Sequence, residues 1–153
     1  MDRRTHPIRI RLRLGTDAAS AWRAWTDPTE LEAWLTTKAT VEPCEGGKYE
    51  LFWEPSTPDR NSTLGCKILR YDEPSTLAFQ WRGPPQYADL MNTLPYSTCV
   101  VVSFKDSDAG CELDFEHQGW GRSDDWDAAR SWQERAWRAA FASLESRYPP
   151  THE

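Results

Sequence analysis

The chain has 153 residues, a length typical of one domain, and carries a net charge of −6. Charged residues make up 27% of it, yet it contains nine Trp, and this mixture favours a folded globular protein over a disordered one. The acidic balance and the lack of a basic tract after Arg13 argue against nucleic-acid binding and against a polybasic membrane contact. No apolar run approaches the ~20 residues of a membrane span, and the Arg-rich N-terminus lacks the apolar segment of a signal peptide. We therefore expect a single cytoplasmic domain over residues 1–153.

The first predicted strand covers residues 6–14, where apolar and basic residues alternate. A period of two places the isoleucines and leucines on one face and Arg9, Arg11 and Arg13 on the other. An acidic strand later in the chain is expected to lie near these arginines, which favours a solvated strand face over a binding patch.

Two short helices are predicted next. The first begins after residues 15–17 and carries Ala18, Ala21, Trp22 and Trp25 at helical spacing. The second has a compact start signal at residues 27–30, with Asp27 as the cap, Pro28 in the first helical position, and Glu30 reaching back as in a capping box.

From residue 39 the apolar period changes to two, which predicts about six antiparallel strands. They cover residues 40–42, 48–53, 64–71, 77–81, 98–104 and 111–117. Residues 83–96 contain three prolines and no clear period, so we expect a long loop with one helical turn near residues 87–90. A loop of that length in a compact domain is often functional.

A long helix is predicted from Ser123 or Asp124, as its cap, to residue 148, where two prolines stop it. Its apolar stripe consists of Trp126, Ala129, Ala136, Trp137, Ala140, Phe141, Leu144 and Tyr148. A helix with so apolar a stripe is expected to pack across the concave face of the sheet. The predicted fold class is therefore α+β.

Specific residues in this order resemble a known superfamily. They are the segments 21–28, 31–35, 46–49 and 77–81, with Gly65 and with Trp137, Phe141 and Leu144 on the last helix. The chain resembles the superfamily of START domains and the birch-pollen allergen (SRPBCC), and within it the branch of homologues of the heat-shock-protein-90 ATPase activator. The resemblance covers residues 8–147.

The resemblance implies a helix-grip fold, in which a curved antiparallel sheet wraps around the C-terminal helix and two short helices follow the first strand. Relatives often have an apolar cavity between sheet and helix. Some carry lipids, sterols, polyketides or hormones, some catalyse cyclisations, and some bind chaperones. The branch has no shared catalytic motif, so no catalytic residue and no cofactor is carried over. The chaperone activators also have an additional N-terminal domain, for which this chain has no room.

Alternation along the last strand points His117 inward, and helical spacing places Arg130 and Gln133 inside the apolar stripe. One hypothesis makes these three the polar end of a cavity, beside the first half of the helix, with the second half as plain core. Its apolar walls would be Tyr49, Leu51, Trp53, Phe79, Trp81, Trp137 and Phe141. The alternative is that Arg130 pairs with Asp127 or Glu134 and that His117 bonds the backbone near Gly119, as satisfied core residues.

Other polar clusters have simpler interpretations. The cysteines are widely spaced, which favours free buried thiols over disulfides or zinc ligands: Cys44, Cys66, Cys99 and Cys111. Asp124, Asp125 and Asp127 fit helix capping and match no calcium loop, so no metal site is predicted. His6 and His152 are expected near frayed ends.

Three functions remain open at this stage. The first is the binding of a hydrophobic or aromatic small molecule without catalysis. The second is a protein-interaction module resembling the chaperone-ATPase activators. The third is a cyclase or hydrolase that uses His117 as a general base. No sequence pattern identifies a ligand or an oligomeric state.

Overall fold

The structure is a computed structural model that describes residues 6–150, so His152 lies outside the described residues. Its strands are β1 (Ile8–Leu14), β2 (Lys38–Val41), β3 (Tyr49–Phe52), β4 (Ile68–Asp72), β5 (Thr76–Gln80), β6 (Cys99–Ser107) and β7 (Gly110–Gln118). Its helices are α1 (Ala18–Thr26), α2 (Pro28–Trp34), α3 (Ala88–Met91) and α4 (Asp124–Arg147), with a 3-10 turn (Pro85–Tyr87) directly before α3.

The strands form a mostly continuous antiparallel sheet. Five of them pair in the order β1-β7-β6-β5-β4, and β2 and β3 form a separate hairpin. Single bridges from Lys48 to Lys67 and from Phe52 to Ser62 connect β3 to the segment that leads into β4. With α4 packed against this sheet and two short helices after β1, the fold is the expected α+β helix-grip fold.

The predicted alternation along β1 is confirmed. Its apolar residues are buried and its arginines are exposed. Antiparallel pairing with β7 sets each arginine beside a carboxylate: Arg9 and Glu116 at 2.9 Å, Arg11 and Asp114 at 2.7 Å, and Arg13 and Glu112 at 3.9 Å. Exposed pairs of this kind contribute little stability, but they neutralise the outer face of the sheet. This arrangement supports a solvated strand face.

The helix caps are largely as predicted. Asp27 accepts a hydrogen bond from the Thr29 N–H, and Ser123 accepts one from the Trp126 N–H. The predicted capping box at Glu30 is wrong, because the Asp27 N–H already donates to the Arg23 carbonyl at the end of α1. The Glu30 carboxylate instead accepts hydrogen bonds at 2.9 Å from Arg147 and Tyr148, and so ties α2 to the end of α4.

Two strand boundaries differ from the prediction for backbone reasons. β4 begins later because Gly65 has a φ of +85° and the Cys66 N–H closes a turn onto the Thr63 carbonyl. The β6–β7 hairpin extends further than expected, because Ser107 still pairs with Gly110. The predicted helical turn in the long loop is confirmed by the 3-10 turn and α3. Within residues 6–150, no helix combines the length and the apolar character needed to cross a membrane.

Trp25, on the inner face of α1, lies at the centre of the core. Its side chain is 0% exposed. Its ring contacts five others, at centroid distances of 5.0 to 6.2 Å, from every layer of the fold: Trp34, Phe79, Phe115, Trp137 and Phe141. Within the described residues its indole N–H has no hydrogen-bond partner, so ring packing alone holds it. The middle of the space between sheet and α4 is therefore filled.

Replacing this ring should damage the whole fold. We expect Trp25→Ala to lower the free energy of unfolding by about 3–5 kcal/mol, because a large cavity would open among five aromatic rings. Trp132→Ala is the matched control on half-exposed Trp132, and it should cost less than about 1 kcal/mol. Urea unfolding followed by circular dichroism measures both. Equal losses in the two variants would contradict the central role of Trp25.

Candidate functional site

Beside the filled core lies an open cleft of about 560 Å³, between the middle of α4 and one end of the sheet. We call it the tryptophan-lined cleft, after the rings on its walls: Trp34, Trp53, Trp81, Trp132 and Trp137. These rings come from four parts of the chain, namely α2, the segments just after β3 and β5, and α4. Its volume lies within the ~300–1,000 Å³ range of small-molecule sites.

Small side chains on α4 keep this space open. Ala136, Ala139 and Ala140 line the cleft, next to the buried row that faces the core. The apolar stripe in the C-terminal half of the helix was predicted to be plain core, but Ala136 and Ala140 of that stripe are only half-buried. A larger residue at any of these positions would project into the cleft.

Hydrogen bonds inside the protein fix four of the five tryptophan rings. The Trp34 indole donates to the Ala24 carbonyl at 2.8 Å, and the Trp53 indole donates to the Leu35 carbonyl at 2.9 Å. These bonds satisfy the N–H groups and fix the rings in place, and Trp34 is so deeply packed that only 6% of it is exposed. The walls are therefore largely pre-formed.

The other two fixed rings use side-chain acceptors. The Trp81 indole donates to Gln133 Oε1 at 3.3 Å, and the Trp137 indole donates to His117 Nδ1 at 3.0 Å. Gln133 is 4% exposed and lines the cleft, so the small part of it that solvent reaches faces the cleft. Its carboxamide NH2 keeps two donors beyond the bond that its oxygen accepts.

Charged groups border the cleft on the side of the loop at residues 54–62. Glu54 lies 3.4 Å from Arg60 and accepts a hydrogen bond from Asn61 at 3.3 Å. Arg82, just after β5, donates to the Leu64 and Asp59 carbonyls, both at 3.1 Å. The rim is thus polar, and its one carboxylate already has a basic partner.

The long loop supplies a further wall through residues 83–86. Asn92 holds the base of this loop, since it accepts from the Gly83 N–H at 2.6 Å and donates to the Gly83 carbonyl at 3.0 Å. Tyr87 contacts the edge of Trp132 across the cleft mouth. Contacts of Gly83 and Tyr87 therefore hold residues 83–86 beside the cleft.

The structure brings four of the ten predicted site residues to the cleft: Trp53, Trp81, Gln133 and Trp137. Four of the predicted walls lie in the closed core instead: Tyr49, Leu51, Phe79 and Phe141. Tyr49 stacks on Phe79 at 3.9 Å and donates from its hydroxyl to the Trp25 carbonyl at 2.6 Å. Phe79 and Phe141 pack directly against the Trp25 ring, and none of the four lines the cleft.

The predicted polar end is not assembled at the cleft. Arg130 donates to the His6 and Pro7 carbonyls and to Glu134, so it anchors the start of β1. The contact with Glu134 is the one that the alternative interpretation expected. Only Gln133 of the predicted trio lines the cleft.

His117 points inward as predicted, but it lies behind the cleft wall. It is 0% exposed, its Nδ1 accepts from Trp137, and its ring packs 4.6 Å from Trp120. Burial, with a smaller effect of the Arg130 charge, lowers the pKa of His117 to about 3. The alternative interpretation expected His117 to bond the backbone near Gly119, but its ring bonds the Trp137 indole instead. His117 is thus a neutral acceptor that holds a wall residue.

The sequence did not single out Trp34, Trp132 or Arg82 as lining residues. A usable signal existed for α4: Trp132, Ala136 and Ala139 recur at spacings of four and three, beside the buried row. One large ring followed by small residues on the same helix face indicates a surface with room above it. Arg82 carried no comparable signal.

The cysteines are free, as predicted, although Cys44 is exposed and not buried. Burial raises the pKa of Cys66 to about 12 and that of Cys111 to about 11, so both remain protonated thiols. Within residues 6–150, no three His, Cys, Asp or Glu side chains come together as a metal-binding group.

The sequence of this chain is similar to one known protein family. The sequence model of a family described as activator of Hsp90 ATPase homolog 1-like protein matches residues 16–148. No curated protein matches the sequence significantly.

Solved structures share the fold at low sequence identity. The protein MLL2253 from Mesorhizobium loti is 20% identical with a TM-score of 0.72, over 92% of this chain and 95% of that one. An HSP90 activator from Plasmodium falciparum is 17% identical with a TM-score of 0.71, over 96% and 100%. The Aha1 dimer from Colwellia psychrerythraea is 16% identical with a TM-score of 0.70, over 94% and 96%.

The buried, neutral His117 should make stability depend on pH. Its pKa is about 3 in the folded chain against an ordinary value of 6.5, so below pH ~6.5 the unfolded chain binds a proton that the folded chain does not. As the pH falls from ~6.5 to ~3, this lowers the free energy of unfolding by about 1.4 kcal/mol for each pH unit. His117→Gln keeps an acceptor for Trp137 and should remove this contribution, as measured by urea unfolding at a series of pH values.

His6→Gln is the matched control, since His6 is exposed and its bond to Arg130 uses a backbone carbonyl. This variant should keep the pH dependence of the wild-type protein. If the His117→Gln curve ran parallel to the wild-type curve from pH 7 to pH 4, the burial of a neutral His117 would be disproved.

Proposed function

The chain belongs to the family of activator of Hsp90 ATPase homolog 1-like proteins, and from that premise we propose that it binds a hydrophobic, ring-bearing small molecule in the tryptophan-lined cleft. The observation that carries this proposal is an open volume of about 560 Å³ whose walls are five tryptophan rings. A concave volume of this size with mainly apolar walls and a few polar groups is typical of small-molecule sites.

The chemistry of the walls favours flat, apolar ligands. The indole N–H groups of Trp34, Trp53, Trp81 and Trp137 are already bonded within the protein, so what these rings offer a ligand is apolar ring surface. Aromatic faces prefer other rings in offset or edge-on arrangements. Each ~100 Å² of apolar surface that a ligand covers is worth roughly 2.5 kcal/mol.

One polar group inside the walls would orient the ligand. The Gln133 carbonyl is held by Trp81, which fixes the carboxamide and presents its NH2 group as the donor for a ligand in the cleft. A pocket of apolar walls with few placed polar groups is the usual design of a binding site. A ligand with an oxygen acceptor on its ring fits this arrangement.

The geometry does not favour a cyclase or hydrolase that uses His117. The ring is fully buried, its Nδ1 is occupied by the Trp137 indole, and it does not line the cleft. A general base must come within hydrogen-bond reach of the proton it removes. His117 serves instead to position a wall residue.

Filling the cleft should abolish binding while the fold remains. We expect Ala136→Phe to occupy the space between the tryptophan rings and to change the free energy of unfolding by less than about 1.5 kcal/mol. Screening a library of aromatic and lipid-like compounds by thermal shift and native mass spectrometry identifies wild-type ligands. A ligand at one hundred times its Kd stabilises the wild-type protein by about 2.7 kcal/mol and should leave Ala136→Phe unaffected.

Ala142→Phe is the matched control, on an exposed position of the same helix outside the cleft. It should bind every wild-type ligand with unchanged affinity. The proposal fails if no compound in the library binds the wild-type protein, or if Ala136→Phe binds them equally well.

A second candidate is stimulation of a chaperone ATPase. It is supported by the family description and by the similarity to the Plasmodium falciparum HSP90 activator, which covers 100% of that chain. This role would use an exposed surface and need no open cleft.

The two candidates separate in one assay. If the chain is an activator, adding it to the purified Hsp90 of its own organism should raise the steady-state ATPase rate severalfold, and Ala136→Phe should do so as well. A rate unchanged at saturating concentration, together with no retention in a pull-down by that Hsp90, would rule the activator role out.

A further inference from the structure

We propose that the ligand of the tryptophan-lined cleft is an anion, a flat ring system bearing a carboxylate, with Arg82 as the group that selects its charge. This inference rests on the proposed small-molecule function and narrows its ligand class. It depends on the balance of charge around the cleft and on the surroundings of the Arg82 guanidinium.

The charged side chains that line the cleft do not cancel. They are Glu54, Arg60 and Arg82. Glu54 and Arg60 lie 3.4 Å apart and compensate each other. Among the lining side chains this leaves the charge of Arg82 unpaired, although the chain as a whole carries −6. The Glu50 carboxylate, which accepts from the Gly65 N–H in the same region, does not line the cleft. The local balance is therefore positive in an acidic protein, which favours a negatively charged group in the cleft.

Arg82 is half-buried, and its environment satisfies its donors without neutralising its charge. Its two terminal nitrogens donate to the neutral carbonyls of Leu64 and Asp59. Its Nε is buried and has no hydrogen-bond partner within residues 6–150, and no carboxylate of that range forms an ion pair with it. A cation withdrawn from water in this way gains most from a nearby anion.

The two polar features of the cleft suit the same ligand group. Gln133 presents N–H donors from α4, and Arg82 presents positive charge from the segment after β5. A carboxylate has only acceptor sites, so it matches both, whereas an ammonium group matches neither. The tryptophan walls require that the rest of the ligand be flat and apolar.

A set of probes that share one ring system tests the charge preference directly. Naphthoate, naphthamide and naphthylmethylamine have closely similar shapes and carry a negative, a neutral and a positive end. By isothermal titration calorimetry at pH 7 and low salt, we expect naphthoate to bind the wild-type protein about tenfold more tightly than naphthamide. Naphthylmethylamine should bind more weakly than either.

Three variants assign this preference to Arg82. Arg82→Gln removes the charge and should bring the ratio of the naphthoate and naphthamide affinities to about one. Arg82→Lys keeps the charge and should keep a preference for naphthoate. Arg9→Gln changes the net charge equally on the outer face of the sheet and should leave the ratio unchanged. Thermal melting of each variant establishes that the fold is intact.

The outcomes separate the preference for an anion from the binding of ring compounds in the cleft. If naphthamide binds as tightly as naphthoate, or if Arg82→Gln keeps the tenfold ratio, the anion preference is disproved while a ring-binding cleft stands. If none of the three probes binds at millimolar concentration, the cleft does not accept ring ligands and both proposals fail. Should Arg82→Gln not fold, the wild-type ratio still decides the anion preference, and Arg82→Met, which keeps the apolar part of the side chain without its charge, should bring the ratio to about one if Arg82 selects the anion.

Discussion

Trp25 fills the middle of the space between the sheet and α4, and the rest of the molecule is arranged around this ring. It contacts aromatic side chains of α2, of two strands and of α4, so one residue joins every layer of the fold. Because the centre is closed, the cleft lies towards one end, where it is lined by alanines on α4 and by tryptophans that follow β3 and β5. The position of the cleft thus follows from how the core is packed.

The same packing pairs some polar groups on the inner faces and leaves others, such as His117 Nε2 and the Trp25 indole N–H, without a partner among the described residues. Two inward polar side chains, His117 and Gln133, each accept the indole N–H of a tryptophan that lines the cleft. A buried polar group without a partner costs about 1–3 kcal/mol, so these pairs stabilise the walls as well as the core. Arg130 avoids that cost differently, by reaching the carbonyls at the start of β1. Two of the tryptophans that line the cleft are therefore held in place by these bonds.

Most of the fold could be predicted from local sequence patterns, but most of the residues that line the cleft could not. Alternation along β1 and β7, the Asp27-Pro28 helix start and the Ser123 cap predicted their elements correctly. Periodicity also showed which residues point inward. It could not show whether an inward residue meets open space or another side chain, because that depends on three-dimensional volumes. Tyr49 and Phe79 were therefore assigned to a cavity that Trp25 fills, while Trp132 was overlooked.

The tryptophans themselves provide the most direct test of a binding cleft beside a closed core. Each of the nine indole N–H groups gives its own signal in a proton–nitrogen NMR spectrum. On saturation with a ligand, we expect the shifts to be confined to five signals: Trp34, Trp53, Trp81, Trp132 and Trp137. The signals of Trp22 and Trp25 should stay in place. Shifts of Trp22 and Trp25 without shifts of the five lining residues would mean that ligands enter the core and would contradict the account.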